Sequence, residues 1–181
     1  AELSGKLSYQ IESSVDLPCV GDWVTVQYHN DDIEAIIHGV LPRKTFLRRK
    51  CAGENVDFQM IAANIDIAFI VQSCHFDFNM KRLDRYLVMA ADGHVEPIVI
   101  LTKTDLISHD ELEQKLVAIK QTGIISRVFA LSNITGYGFD EFQQVLIPGK
   151  TYCLLGSSGV GKTTLINRLI GQNTFNTKAV S

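Results

Sequence analysis

The residue types best equipped for chemistry are gathered late in the chain, in Gly156-Ser-Ser-Gly-Val-Gly161-Lys162-Thr163. The spacing is G-x-x-x-x-G-K-T. An apolar, β-prone run from Tyr152 to Leu155 leads into it, and Leu165, Ile166, Leu169 and Ile170 follow at helical spacing. Gly156, Gly159 and Gly161 let the backbone turn so that successive N–H groups point inward and ring an anion. A helix starting at the loop's end adds its unpaired N–H groups and the positive end of its dipole. The chemistry is phosphate binding. Ser157, Ser158, Val160 and Thr164 complete the cradle, Lys162 supplies charge to the β- and γ-phosphates, and the Thr163 hydroxyl is placed to ligate Mg²⁺. Lys162 and Thr163 are therefore the candidate catalytic pair.

Such a loop needs a sheet behind it. From about residue 61 the pattern alternates: Asp66–Val71, Pro97–Leu101, Arg127–Leu131 and Tyr152–Leu155 read as strands, the first two as continuous apolar runs typical of parallel strands covered on both faces. Helical stretches are expected at about 79–92, 108–122 and 139–147, with Ser108 and Glu111 as a capping box. The class is α/β, a doubly wound parallel sheet over residues 61–181. Two further stretches fall at strand ends, where ligands bind in such sheets. In Thr102-Lys103-Thr104-Asp105, the Asp105 carboxylate can accept both N1–H and the N2 amino group of guanine, a donor pair that adenine does not present. Lys103 would lay its stem along the nucleotide and Thr102 would brace the loop. In Ser132-Asn133, backbone N–H groups would meet the guanine O6.

Residues 1–60 read differently. Leu7–Ile11, Trp23–Tyr28 and Ile33–Leu41 are short β-prone segments separated by turns, including one at His29–Asp32, and predict a small OB-like or SH3-like β-barrel. Arg43, Lys44, Arg48, Arg49 and Lys50 place five basic residues in eight, interleaved with Phe46 and Leu47. Two readings stand side by side: a barrel rim that tracks a phosphate backbone with Phe46 stacked on a base, or a solvated face with one aromatic packed inward. These sixty residues carry six Lys/Arg against nine Asp/Glu, which disfavours generic DNA and fits a particular structured RNA better.

The whole chain has 181 residues, 46% of them hydrophobic, and a net charge of −3. No apolar run is long enough to span a membrane and no leader pattern opens the chain, so a cytoplasmic location is expected; a monomer is expected as well. Four scattered cysteines lack a C-x-x-C pair and read as free thiols. His75, His94 and His109 are isolated, and no residue present reads as a catalytic base.

The order of the loops is unusual. Ras-like GTPases carry the phosphate loop first, whereas here the base-reading loop precedes it. With Val20-Gly-Asp-Trp-Val24, Leu41-Pro-Arg-Lys44, Asp77-Phe-Asn79 and Arg82-Leu-Asp-Arg-Tyr-Leu87, this order resembles the circularly permuted GTPase family of ribosome-small-subunit-dependent GTPase A over essentially the whole length. The resemblance implies an N-terminal OB-fold and a circularly permuted Ras-like P-loop GTPase domain, incomplete at its C-terminal end. It also implies hydrolysis of GTP to GDP stimulated by the small (30S) ribosomal subunit and its rRNA, with a role in late maturation of that subunit. The family usually has asparagine at position 102 and alanine at 133. Its switch segments, a catalytic histidine and a zinc-binding domain would follow Ser181, with Thr174–Val180 as the approach to the first switch. The 181 residues thus read as part of a longer protein, with Zn²⁺ expected only outside them. Two other functions remain open: an RNA-binding module with a vestigial nucleotide site, and an ATP-dependent P-loop kinase or ATPase.

Overall fold

The computed structural model describes residues 1–29, 34–51, 57–123, 126–172 and 174–175. Part of the expected turn at 29–32, residue 33, and most of the expected approach to a switch at 174–180 lie outside the described residues. The chain divides into two compact units: residues 1–66 with 89–95, and residues 67–88 with 96–181.

The first unit contains β1 (Glu2–Leu3), α1 (Gly5–Gln10), a 3-10 turn (Ser14–Asp16), β2 (Val24–His29), β3 (Glu34–Val40), β4 (Phe46–Lys50) and β5 (Phe58–Ala63). The described strands form two sheets, β1-β3-β2 and the antiparallel pair β4-β5, so the expected closed barrel is not what these strands make. One local expectation is corrected. Leu7–Ile11 lies largely in helix α1: Leu7 and Ile11 satisfy an i, i+4 spacing as well as an alternating one. The Ser4 hydroxyl settles the choice by capping the Leu7 N–H. The later part of the basic stretch, Phe46–Lys50, is strand β4, paired with a β5 that the sequence reading missed; this pairing also carries the unit beyond residue 60. Arg48 packs its guanidinium over the rings of Phe46 and Phe58, 5.1 and 4.4 Å from their centroids, which lets a charged residue sit mid-strand.

Arg43 holds this unit's turns together. It donates two bonds of 2.8 Å to the Asp22 carboxylate and further bonds to the carbonyls of Val15 and Leu17. The Asp22 side chain is 2% exposed. Burial alone would raise its pKa, but Arg43 and the Cys19 N–H outweigh that and hold the carboxyl below its ordinary value. A depressed folded pKa gives stabilisation that is complete above the unfolded value of about 4 and lost as pH falls through the folded one. Asp22→Asn is therefore expected to destabilise this unit by about 3 kcal/mol at neutral pH and to flatten its acid limb. Identical acid unfolding curves for the two proteins would exclude the clamp.

In the second unit the sheet order is β8-β7-β6-β9, all parallel: β6 (Ile67–Ser73), β7 (Glu96–Thr102), β8 (Val128–Ala130) and β9 (Tyr152–Leu155). All seven residues of β6 are buried. Alternation then sorts two cores. Ile67, Phe69, Val71, Ile98 and Ile100 pack with Leu131, Phe139, Phe142, Val160 and Leu165, on the side of α4 (Phe139–Gln143) and α5 (Lys162–Ile170). Ile70, Val99 and Leu101 face the other way, toward Leu83 of α2 (Met80–Asp92) and toward Leu112 and Ile119 of α3 (His109–Gln121). The capping box Ser108–Glu111 opens α3. Burial pushes the thiols of Cys74 and Cys153 up to about 11, so both are protonated at neutral pH. No described helix is long and apolar enough to cross a membrane.

Candidate functional site

Register places the site. Ile70 of β6 pairs with Val99 of β7 and with Leu155 of β9, so the three strands run out at the same end of the sheet. The phosphate-loop candidate leaves β9, and the base-reading candidate leaves β7. The order of connection is immaterial to where they meet.

The loop turns at Gly156, whose φ is 154°. A Cβ there would stand 2.3 Å from the Val71 carbonyl oxygen, so only glycine lets the loop lie this close to β6. Gly159, half-buried at φ 78°, makes the second of the three positive-φ turns expected from the sequence. Val160, fully buried, pins the loop's middle into the core. Gly161, with φ 94°, begins α5, and Lys162 and Thr163 occupy its first turn. The Lys162 ammonium donates to the carbonyls of Gly156 at 2.9 Å and Ser157 at 2.5 Å. Burial lowers the Lys162 pKa, and the charge of nearby Asp77 opposes this in part. A half-buried cation resting on neutral carbonyls fits an incoming phosphate well. Ser158 and Thr164 are exposed.

The base-reading segment is built more tightly than its sequence indicates. Thr102 is fully buried, its hydroxyl 2.6 Å from the Val160 carbonyl and 3.2 Å from that of Gln72. It is a tie between the two loops, in keeping with a bracing role, and has no surface to offer a base. Lys103 takes a left-handed conformation (φ 59°) that turns the chain into a single 3-10 turn, Thr104–Leu106. Asp105 is exposed on that turn, and its Oδ1 accepts a 2.6 Å bond from the hydroxyl of buried Ser132. Ser132 also accepts from the N–H groups of Ile134 and Thr135. Its side chain thus orients the carboxylate and folds its own loop, beyond the backbone contact expected from the sequence. Asn133 reaches across to the Gly161 carbonyl with its Nδ2 (3.4 Å), while its Oδ1 is buried without a hydrogen-bond partner among the described residues. Its own carbonyl accepts from Arg168 at 2.6 Å.

The structure therefore brings Thr102–Asp105, Ser132–Asn133 and Gly156–Thr163 to one sheet edge, cross-tied by Thr102 and Asn133. Sequence reading quoted Arg82 only for the family resemblance and gave it no place at the site; its guanidinium bonds both Asp77 and the Ser157 hydroxyl. Its signal was present but indirect: Asn79, which caps the N–H of Arg82, sits three residues ahead at the spacing of a helix start. In the first unit the candidate RNA contacts separate. Arg43 is committed to Asp22, and Arg48 to Asp92 at 2.8 Å and to the two aromatic rings. Half-buried Phe46 lies under Arg48 rather than open to a base, and Arg49 donates to Gln59. Lys44, Arg49 and Lys50 are exposed. No cluster of three or more His, Cys, Asp or Glu that could hold a metal occurs among the described residues.

Comparison with known proteins follows this geometry. The family model described as RsgA GTPase matches residues 40–181. The small ribosomal subunit biogenesis GTPase RsgA 2 of Lactiplantibacillus plantarum is 42% identical over 99% of this chain and 50% of its own length. The small ribosomal subunit biogenesis GTPase RsgA of Opitutus terrae is 35% identical over 100% of this chain and 51% of its own. Among solved structures, YjeQ from Thermotoga maritima superposes with a TM-score of 0.66 at 27% identity, covering 91% of this chain and 54% of its own. YloQ, described as a circularly permuted GTPase, gives 0.56 at 29% identity, covering 83% and 50%. The chain spans about half the length of the curated relatives it matches.

Proposed function

Since this chain belongs to the RsgA GTPase family, we propose that its second unit binds guanine nucleotide, and that the protein is a GTP-hydrolysing switch assisting late maturation of the small ribosomal subunit. The observation that carries this reading is the pair of ties joining the base-reading and phosphate loops: Thr102 to Val160, and Asn133 to Gly161. A single nucleotide held by both loops would have its base read by Asp105, preset by Ser132, and its phosphates ringed by the amides of 156–163, with Gly156, Gly159 and Gly161 giving the backbone its inward turns. Lys162 would exchange its loop carbonyls for the phosphates and stabilise charge on the transferred phosphoryl group. The Thr163 hydroxyl, in the first turn of α5, would hold Mg²⁺, which neutralises charge between the phosphates when bound. Zinc belongs, on this reading, to a segment of the family outside these residues.

The first unit, an OB-like module on this reading, would contact ribosomal RNA. Exposed Lys44, Arg49 and Lys50 of the basic stretch support this, as do Trp23 and Tyr28, 72% and 59% exposed on and beside β2. The protein would act as a cytoplasmic monomer that docks on the subunit with GTP and leaves after hydrolysis.

Titration of labelled GDP and ATP into wild type and Asp105→Ala tests the nucleotide assignment. GDP affinity is expected to fall about tenfold or more on loss of a charge-assisted pair of hydrogen bonds, with ATP binding weak in both proteins. Preference for ATP, or indifference to the substitution, would favour an ATP-dependent P-loop enzyme. RNA or ribosome binding with no nucleotide effect would favour a binding module with a vestigial site.

A further inference from the structure

The stretch Asp77–Leu87 resembles the family but has no place in the chemistry described so far. Its local structure is well determined by short-range bonds. Buried Gln72, at the end of β6, accepts from the Asn79 N–H at 2.9 Å and donates to the Asn79 carbonyl at 3.1 Å. The Asn79 Oδ1 in turn accepts the Arg82 N–H at 3.0 Å, starting α2. Leu83, fully buried, seats the helix in the core and leaves Arg82 beside the phosphate loop. There a single guanidinium nitrogen, Nη1, donates both to Asp77 Oδ1 and to the Ser157 hydroxyl. The Asp77 carboxylate therefore stands against the second residue of the loop. Its other oxygen, Oδ2, is buried and has no hydrogen-bond partner among the described residues.

We propose that Arg82 is a positioning residue of the phosphate site: it fixes Ser157, on whose carbonyl Lys162 rests, and cancels a carboxylate that would otherwise repel the incoming phosphates. The inference rests on the guanine-nucleotide reading above. An anion must enter a pocket already flanked by Asp77, and like charges at close range in a partly dehydrated site are costly. Arg82 is the counter-charge that Asp77 bonds. The same guanidinium, through Ser157, restrains the carbonyl that Lys162 leaves when it turns to phosphate.

The test is GDP affinity of the full-length protein at low salt, for wild type, Arg82→Ala, Asp77→Asn and the double variant, with melting curves alongside. Arg82→Ala is expected to bind GDP about tenfold more weakly. Adding Asp77→Asn should recover most of that loss, because the repelling charge is gone. A scaffold-only role for Arg82 predicts no such rescue. Asp77→Asn alone leaves Arg82 at the site and should bind at least as tightly as wild type, which keeps the proposal open to test if Arg82→Ala does not fold. Wild-type affinity in folded Arg82→Ala, an unrescued double variant, or tenfold weaker binding by Asp77→Asn would each overturn it. Failure of wild type to bind GDP would instead overturn the nucleotide reading itself, and this inference with it.

Discussion

Lys162→Ala is expected to abolish measurable nucleotide binding while leaving the second unit folded. The ammonium makes its hydrogen bonds to Gly156 and Ser157 carbonyls, which can turn to water when it is removed. Loss of fold stability should therefore be small, within about 1 kcal/mol. The loss of phosphate binding is of another order. Burial already lowers the lysine pKa, so the charge has given up part of its hydration and gains more from an anion than a fully exposed lysine would. Two charge-assisted bonds to phosphate of about 1.5–3 kcal/mol each correspond to at least a hundredfold in affinity. Calorimetric titration with GDP, beside a melting curve, separates the two effects. Normal GDP affinity in a folded Lys162→Ala protein would remove the phosphate site from 156–163.

Gly93→Ala should do the opposite, attacking the fold of the first unit. Gly93 follows α2, and its carbonyl accepts the Phe46 N–H at 3.0 Å. A Cβ at this position would stand 1.6 Å from the Phe46 carbonyl oxygen and 2.7 Å from its carbonyl carbon. Both obstacles are backbone, so no rotamer change relieves them, and the contact that seats β4 must open. The expected cost is about 3 kcal/mol or more, a fall of about 10 °C or more in the melting temperature of a unit this size. A variant melting within about 2 °C of wild type would mean that this approach is not maintained in solution.

Legibility in the sequence followed the range of the interactions. The phosphate loop, its strand and its helix lie within twenty residues, and every cue for them is local; β6 and β7 were readable as buried strands because the apolar runs Ile67–Val71 and Pro97–Leu101 contain no charge. The hairpin β4-β5 was not, because Arg48 and Arg49 look like surface until Phe46 and Phe58 are known to lie beneath Arg48. Leu7 and Ile11 fit two periodicities at once, and the cap at Ser4 decided between them. In the site, Asp105 and Lys162 were identified by type and spacing. Their supports were not: Ser132 behind Asp105 is 27 residues away, Val160 is 58 from Thr102, and Ser157 is 75 from Arg82. Such bonds exist only after the sheet has ordered the strands, and no spacing rule reaches that far.

The arrangement of β6 between β7 and β9 has a consequence for how the protein is made. As a nascent chain emerges, β6 and β7 can zip together first, joined by α2 alone, and the aspartate-bearing turn takes shape on them. β9 is the last of this sheet's four strands to arrive and must pair Tyr152 with Ile67 from far along the chain, over a ladder of only four residues. Translation thus presents the turn after β7 before β9 and the loop that leaves it exist, and the ties from Thr102 to Val160 and from Asn133 to Gly161 form only once they do. On the guanine-nucleotide reading proposed above, a half-synthesised molecule would be spared premature loading with nucleotide.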